Sequence, residues 1–232
     1  MKNLLAALTV VSMACALNAA DVTGTVTLKG TPPAEKEITP LKDDPNCGKL
    51  VTETPKTAHY IVGPKGELAN CVVIIEGVPG AKSSGASAAS VELDQKSCNY
   101  HPQILAVQTG QKIVVKNSDP VLHNVHTTPT IEGNQELNQA QMPNSADLTF
   151  SFPKAENFLR FKCDVHPWMF AYVTVVDHPY FAVTDANGAF KIANVPPGKY
   201  KIHVWHRKAG DATQEVEVTD AGGKADFTLE AK

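Results

Sequence analysis

The sequence has few aromatic residues, little net charge and no recognisable catalytic motif. Aromatic residues make up 6% of its 232 residues, and the formal net charge is −3. A charge so close to neutral gives no reason to expect nucleic acid or an anionic membrane as a partner. No carboxylate pair, nucleophile motif or glycine-rich phosphate loop stands out, so the sequence predicts no catalytic residues.

Helical periodicity is also missing. Nearly every periodic segment alternates apolar and polar residues with a period of two, and glycine, proline, asparagine and aspartate separate the segments. Short strands divided in this way are typical of a β-sandwich or a small barrel, so we expect an all-β fold. The predicted strands in the first 176 residues lie at 22–29, 71–75, 89–93, 104–109, 112–116, 148–152, 158–163 and 172–176.

The N-terminus contains an apolar run at residues 4–16. The pattern matches a secretory signal peptide, with a short positively charged segment, then this apolar run, then small residues suited to cleavage. The run is too short to span a bilayer. Cleavage after Ala16, Ala19 or Ala20 is compatible with the pattern. We assign residues 1–20 to the signal, which predicts a periplasmic or secreted protein without membrane insertion; a buried N-terminal helix is the alternative.

Export makes the remaining cysteines informative, because an oxidising compartment permits disulfides. Cys47 and Cys98 lie in turn-like segments and are predicted to pair, although sequence alone cannot fix the connectivity. Cys71 begins an apolar run typical of a strand, which indicates a buried, inert thiol. Cys163 belongs to a different pattern.

Four side chains with metal-binding chemistry occur in a specific order. Cys163, His166 and Met169 have the spacing C-x2-H-x2-M, and His123 precedes Cys163 by 40 residues. A soft thiolate, two neutral imidazoles and a weak axial thioether are the ligands of a blue-copper site. By composition this spacing is expected about 0.003 times in such a chain, so coincidence explains the ligand set poorly.

The segments VLHNVH (121–126) and FKCDVHPWM (161–169) resemble the two copper-binding segments of cupredoxins, and the short second loop is most similar to the amicyanin type. The resemblance covers about residues 96–177. It implies a Greek-key β-sandwich that binds type 1 copper as Cu+ or Cu2+. The ligands that it implies are His123, Cys163, His166 and Met169.

The resemblance also assigns roles beside the metal. Asn124 matches the residue whose backbone N–H donates to the copper thiolate. Val165 departs from the family pattern, which has proline before the second histidine. We expect the Val165 N–H to give the thiolate a second hydrogen bond and thereby to raise the reduction potential.

The pattern of the chain changes after Val176. Asp185–Gly188 predicts a hairpin, residues 195–198 predict a second turn, and alternating segments flank them. This region resembles the carboxypeptidase regulatory-like (transthyretin-like) module, which is usually a structural or binding element. We therefore predict a small appended β-sandwich domain at residues 178–232, after a cupredoxin domain at residues 96–177.

Residues 21–95 form an N-terminal extension with long loops between about 30 and 70. Two arrangements remain open for it. The extension completes the cupredoxin sandwich, with residues 71–76 as an edge or first strand, or it forms a lobe of its own.

Other residues near the motif receive simpler interpretations. Strand alternation places His126 on the face opposite His123, at the surface. Asp164 is expected to be a lone, solvated carboxylate. Pro167 and Trp168, with Phe170 nearby, are expected to form an apolar rim around a partly exposed edge of His166, where redox partners would dock.

The leading hypothesis is an exported single-electron carrier that meets transient redox protein partners and is not an enzyme. The alternative is an extracellular binding or scaffold module whose cupredoxin domain stores copper or is redox-silent. An oxidase or reductase fragment is disfavoured because no second histidine cluster is evident. The oligomeric state is open.

Overall fold

The computed structural model describes residues 19–232, which form seventeen strands and one short α-helix. This confirms the predicted all-β class. The helix α1 is Thr39–Asp43. The strands are β1 (Ala20–Lys29), β2 (Val72–Glu76), β3 (Val91–Lys96), β4 (Asn99–His101), β5 (Ile104–Gln108), β6 (Ile113–Asn117), β7 (His123–Thr128), β8 (Leu137–Gln141), β9 (Leu148–Phe150), β10 (Glu156–Lys162), β11 (Phe170–Val176), β12 (Phe181–Val183), β13 (Ala189–Val195), β14 (Gly198–His206), β15 (Gly210–Val218), β16 (Gly223–Lys224) and β17 (Phe227–Glu230).

The central strands form the predicted β-sandwich, which we call the central sandwich. One sheet has the order β5-β11-β10-β7-β8 and the other β4-β3-β6-β9. Their inward residues share one core, in which the rings of Phe150 and Phe152 lie 5.6 and 5.9 Å from that of Phe161. Edge-to-face aromatic packing of this kind stabilises the contact between the sheets.

The remaining strands form a second unit, which we call the C-terminal sandwich. In one sheet β1 lies between β13 and β16 and also pairs with β17. The other sheet has the order β12-β2-β14-β15. Two strands of the N-terminal extension, β1 and β2, therefore belong to the C-terminal sandwich. The extension neither supplies these strands to the central sandwich nor forms a lobe of its own, the two arrangements considered from the sequence.

Burial explains why β2 takes this place. Its first four residues are all buried, and a strand without an exposed face fits the middle of a sheet whose two faces are covered. β2 accordingly pairs with β12 on one side and with β14 on the other.

The predicted hairpin at Asp185–Gly188 is wrong in one respect. The tight turn exists, since the Gly188 N–H donates to the Asp185 carbonyl at 2.9 Å and Gly188 has φ +65°. However, the strands on either side do not pair with each other, because β12 joins β2 and β13 joins β1. The turn instead carries the chain from one sheet of the C-terminal sandwich to the other.

A segment of the extension, residues 38–51, includes α1 and packs on the central sandwich. Leu41 and Cys47 are fully buried in the core of the central sandwich, and Cys47 forms the predicted disulfide with Cys98. Cys71 is a buried free thiol, also as predicted. The two sandwiches meet at a small apolar cluster that contains Ile104 and Val176 of the central sandwich and Val72 and Ile74 of β2.

The predicted signal at residues 1–20 lies outside the described residues except for its last two, and Ala20 is already the first residue of β1. Among residues 19–232, no helix has the length and hydropathy needed to cross a bilayer.

Candidate metal centre

The four predicted ligand residues come from two elements at one end of the central sandwich. His123 is the first residue of β7, and Cys163 directly follows β10. The loop to β11 contains His166 and Met169, and two backbone hydrogen bonds close it. The Cys163 N–H donates to the Met169 carbonyl at 3.1 Å, and the Met169 N–H donates to the His166 carbonyl at 2.9 Å.

Three of the predicted donor atoms converge. His123 Nδ1 lies 3.0 Å from His166 Nδ1, and Cys163 Sγ lies 3.7 Å from His166 Nδ1. Metal–nitrogen bonds of about 2.0 Å and metal–sulfur bonds of about 2.3 Å allow donor separations up to about 4.3 Å, so this cluster fits one ion. Met169 is fully buried beside the cluster in the same core.

The hydrogen bonds of the cluster favour a thiolate. Burial opposes ionisation of Cys163, but hydrogen bonds with His123, with His166 and with the backbone of Asn124 outweigh it and lower the pKa of the thiol to about 6. An ionised, buried sulfur between two imidazoles is the soft donor that copper prefers.

Asp119 completes the site and was not among the residues predicted from the sequence. Its Oδ2 lies 2.9 Å from His123 Nε2 and accepts the Cys98 N–H at 2.8 Å, while Oδ1 accepts the Ser97 N–H at 2.7 Å. A carboxylate at Nε2 fixes the ring so that Nδ1 faces the cluster. The available signal was an aspartate four residues before a predicted histidine ligand, in the turn-forming segment NSDP.

Asn124 lies where the resemblance to cupredoxins implies. Its backbone nitrogen is 3.5 Å from Cys163 Sγ. Its side-chain oxygen also accepts the N–H groups of Asp164 and Val165, at 2.6 and 3.3 Å. The expected hydrogen bond from Val165 to the thiolate is therefore wrong, because the amide of Asn124 intercepts the Val165 N–H.

Asp164 is not the lone carboxylate that we expected. It pairs with Lys162 at 2.7 Å and with His126 Nδ1 at 2.7 Å, and it accepts a hydrogen bond from Asn138. The hydrogen bond to Lys162 is the largest cause that holds the pKa of Asp164 well below its usual range. His126 is on the outer face of β7, as predicted, and its Nε2 contacts Glu136.

The expected exposed edge of His166 is also absent. His166 is only 6% exposed, because the disulfide lies beside it: Sγ of Cys47, Sγ of Cys98 and a His166 ring nitrogen are all within 4.8 Å of one another. Trp168 is half-buried, and its Nε1 donates to the Cys98 carbonyl at 3.1 Å. The segment at residues 38–51 therefore covers the side of the site where docking was expected.

The described residues thus define an all-β protein with a buried cluster of two imidazoles and one thiol at the end of a sandwich. Within this chain, residues 166–230 match the family model of the carboxypeptidase regulatory-like domain, which confirms the C-terminal resemblance. The match begins in the ligand loop, at His166, and runs through β17.

Solved structures similar to this chain include a Cu(I) form of an amicyanin variant, 22% identical over 44% of this chain and 97% of that one, with a TM-score of 0.34. An oxidised amicyanin variant is 20% identical with the same coverage and TM-score. A copper-containing nitrite reductase from Thermus scotoductus is 16% identical over 38% of this chain and 22% of that one, with a TM-score of 0.34. No curated protein matches the chain.

Proposed function

We propose that this protein is an exported copper-binding electron carrier. In this proposal His123, Cys163 and His166 would hold the copper, and the thioether of Met169 would be a further, weaker donor. The observation that carries the proposal is the convergence of three buried donors: His166 Nδ1 lies 3.0 Å from His123 Nδ1 and 3.7 Å from Cys163 Sγ. Copper bound there supplies a one-electron change between Cu+ and Cu2+.

The chain contributes rigidity to this role. Asp119 holds the His123 ring through Nε2, and Asn124 holds the loop that carries Cys163. Metal ligands that are held by further hydrogen bonds in a packed core move little when the charge of a bound ion changes. A small rearrangement is what fast electron transfer requires, and no catalytic residue takes part.

Transient docking of a redox partner would use exposed apolar side chains that neighbour the ligands along the chain and in the β7–β8 pairing. Leu122, Met142 and Val165 are 39%, 58% and 48% exposed. Leu122 precedes His123, Met142 follows its β8 partner Gln141, and Val165 precedes His166. A small set of exposed apolar side chains suits a weak, short-lived electron-transfer complex.

Visible absorption of the purified protein after addition of copper(II) tests the proposal. We expect an intense blue band from thiolate-to-copper charge transfer that a reductant bleaches reversibly. The band should vanish in Cys163→Ser and persist in Cys71→Ser, which makes the same change at the buried thiol of the other sandwich. A folded protein that stays colourless would overturn the proposal and favour a binding or scaffold module.

A further inference from the structure

A cleft between the two sandwiches is lined by basic and aromatic side chains that the metal site does not use. We call it the basic cleft. Its inner cavity, of about 30 Å³, is bordered by His206, Arg207 and Tyr172. His59 and Lys208 line both this cavity and an adjoining outer cavity of about 300 Å³. A single water needs about 10–15 Å³, so the inner cavity has room for a small polar group.

His206 lines the inner cavity, and its hydrogen bonds fix the position of the ring proton. The residue is only 4% exposed, and its Nδ1 accepts the backbone N–H groups of Lys208 and Ala209 at 3.3 and 3.0 Å. Accepting two hydrogen bonds at Nδ1 places the ring proton on Nε2. Within residues 19–232 this Nε2–H has no hydrogen-bond partner, so a donor is left for a bound group.

The basic cleft also holds cations without partners. Among residues 19–232, Lys36, Arg207 and Lys208 form no ion pair with a carboxylate, and the Arg207 guanidinium lies 3.6 Å above the centroid of the Tyr172 ring. Stacking on an aromatic ring orients the guanidinium and leaves its N–H groups free to bind an anion. The cations therefore remain available in the cleft.

Glu35, the acidic side chain at the outer cavity, is already satisfied. Its carboxylate accepts the backbone N–H groups of His59 and Tyr60, at 3.1 and 2.7 Å, and the hydroxyl of Thr57. It holds the wall of the cleft together and pairs with none of the cations.

The titration of His59 is consistent with a positive cleft. Burial is the largest cause that lowers the pKa of His59, and the positive charge of Lys208 lowers it further. The negative charge of Glu35 opposes this shift, and the charges of Arg207 and Lys36 add smaller decreases. These charges act on a ring that lies between the two cavities.

We propose that the basic cleft binds a small organic carboxylate. Its carboxylate group occupies the inner cavity, where it accepts hydrogen bonds from His206 Nε2 and Arg207, and Lys208 adds a further positive charge. The planar fork of arginine matches a carboxylate in shape. The organic part lies in the outer cavity, beside the ring of Tyr60.

Calorimetric titration of the purified protein with benzoate and with benzamide tests this proposal, because the two probes share a ring and differ in charge. We expect benzoate to bind and benzamide to bind at least about tenfold more weakly, since each lost charge-assisted hydrogen bond costs about a factor of ten or more. Arg207→Gln and Lys208→Gln should each weaken benzoate binding about tenfold.

Lys201→Gln is the matched control. Lys201 is an exposed lysine on β14, the strand that ends at His206, and it does not line the cleft. Its substitution should leave benzoate binding unchanged. Absence of benzoate binding, equal binding of benzamide, or equal affinity in Arg207→Gln, Lys208→Gln and the control would each overturn the proposal. The result does not depend on copper, so it is separate from the test of the metal site.

Discussion

Asp119 is not a predicted metal ligand, but it orients the ligand His123 and two backbone N–H groups beside it. Its two carboxylate oxygens receive three donors: the His123 ring, the Cys98 N–H and the Ser97 N–H. An amide at the same place has a single acceptor oxygen, and its NH2 group would face one of these donors. The carboxylate can therefore not be replaced by its neutral isostere without loss.

We expect Asp119→Asn to weaken copper binding by about 10- to 100-fold, because the His123 ring loses the acceptor that fixes its orientation. Competition against a chelator of known affinity measures the effect. Asp147→Asn, which makes the same change at an exposed site, should leave the affinity unaltered. Equal affinities of the two variants would contradict this role of Asp119.

His206 predicts a pH dependence of stability. Burial, together with the charge of Arg207, lowers its pKa to about 4, whereas an unfolded chain has a histidine pKa near 6.5. Between these values the unfolded chain binds a proton that the native protein does not. The free energy of unfolding therefore falls as the pH drops from about 6.5 to about 4, and the contribution of His206 is complete above 6.5.

Urea unfolding at pH 7 and pH 4.5, with a chelator present, measures this contribution. We expect the wild type to lose about 2 kcal/mol more than His206→Gln over this interval, since one pKa unit corresponds to about 1.4 kcal/mol. Equal losses in both proteins would show that His206 does not titrate in this way.

At the scale of elements, the disulfide anchors the covering segment at residues 38–51. Cys47 lies in this segment, Cys98 lies between β3 and β4, and both sulfurs are close to the His166 ring. The bond links positions 51 residues apart, so it removes many conformations of the unfolded chain. It also keeps the segment against the metal site.

The double variant Cys47→Ala/Cys98→Ala should therefore show two effects. The free energy of unfolding should fall by about 2–4 kcal/mol. A chelator should also remove copper faster, because the side of His166 is no longer covered. Cys71→Ala, a change at the buried thiol of the C-terminal sandwich, serves as the control for the chelator rate. An unchanged rate in the double variant would mean that the segment does not protect the site.

Local patterns predicted elements well and their partners poorly. The segment at residues 172–176 corresponds to β11, and the segment at 104–109 corresponds to β5. The polar strand β8 was missed, since only Gln141 is buried in it. Its place is set by the pairing with β7 and not by its own residues.

The candidate site also contains residues that local sequence predicts and residues that only the fold brings together. His123, Cys163 and His166 were predicted because their chemistry and spacing are local and rare. Asp119 and the cover over His166 were not, because both depend on which loops the fold brings together. Of the predicted hydrogen bonds to sulfur, the one from Asn124 is present, and the one from Val165 is redirected to an amide oxygen.

At the scale of the whole molecule, the chain crosses between its two sandwiches more than once. It starts in the C-terminal sandwich with β1, covers the central sandwich with residues 38–51, and returns with β2 before β3 begins the central sandwich proper. Sequence patterns cannot reveal which sandwich each strand joins. The alternation of β1 and the apolar run of β2 would suit the core of either sandwich.

This order predicts that residues 178–232 do not fold alone. Without β1 and β2, the strands β12, β13, β16 and β17 lose their described pairing partners, and only the β14–β15 ladder remains. An isolated two-stranded hairpin is marginally stable at best in water. We expect this fragment to show poor amide dispersion by NMR and no cooperative unfolding, in contrast to the full chain. A fragment that unfolds cooperatively would show that the C-terminal sandwich does not need the strands it takes from the N-terminal extension.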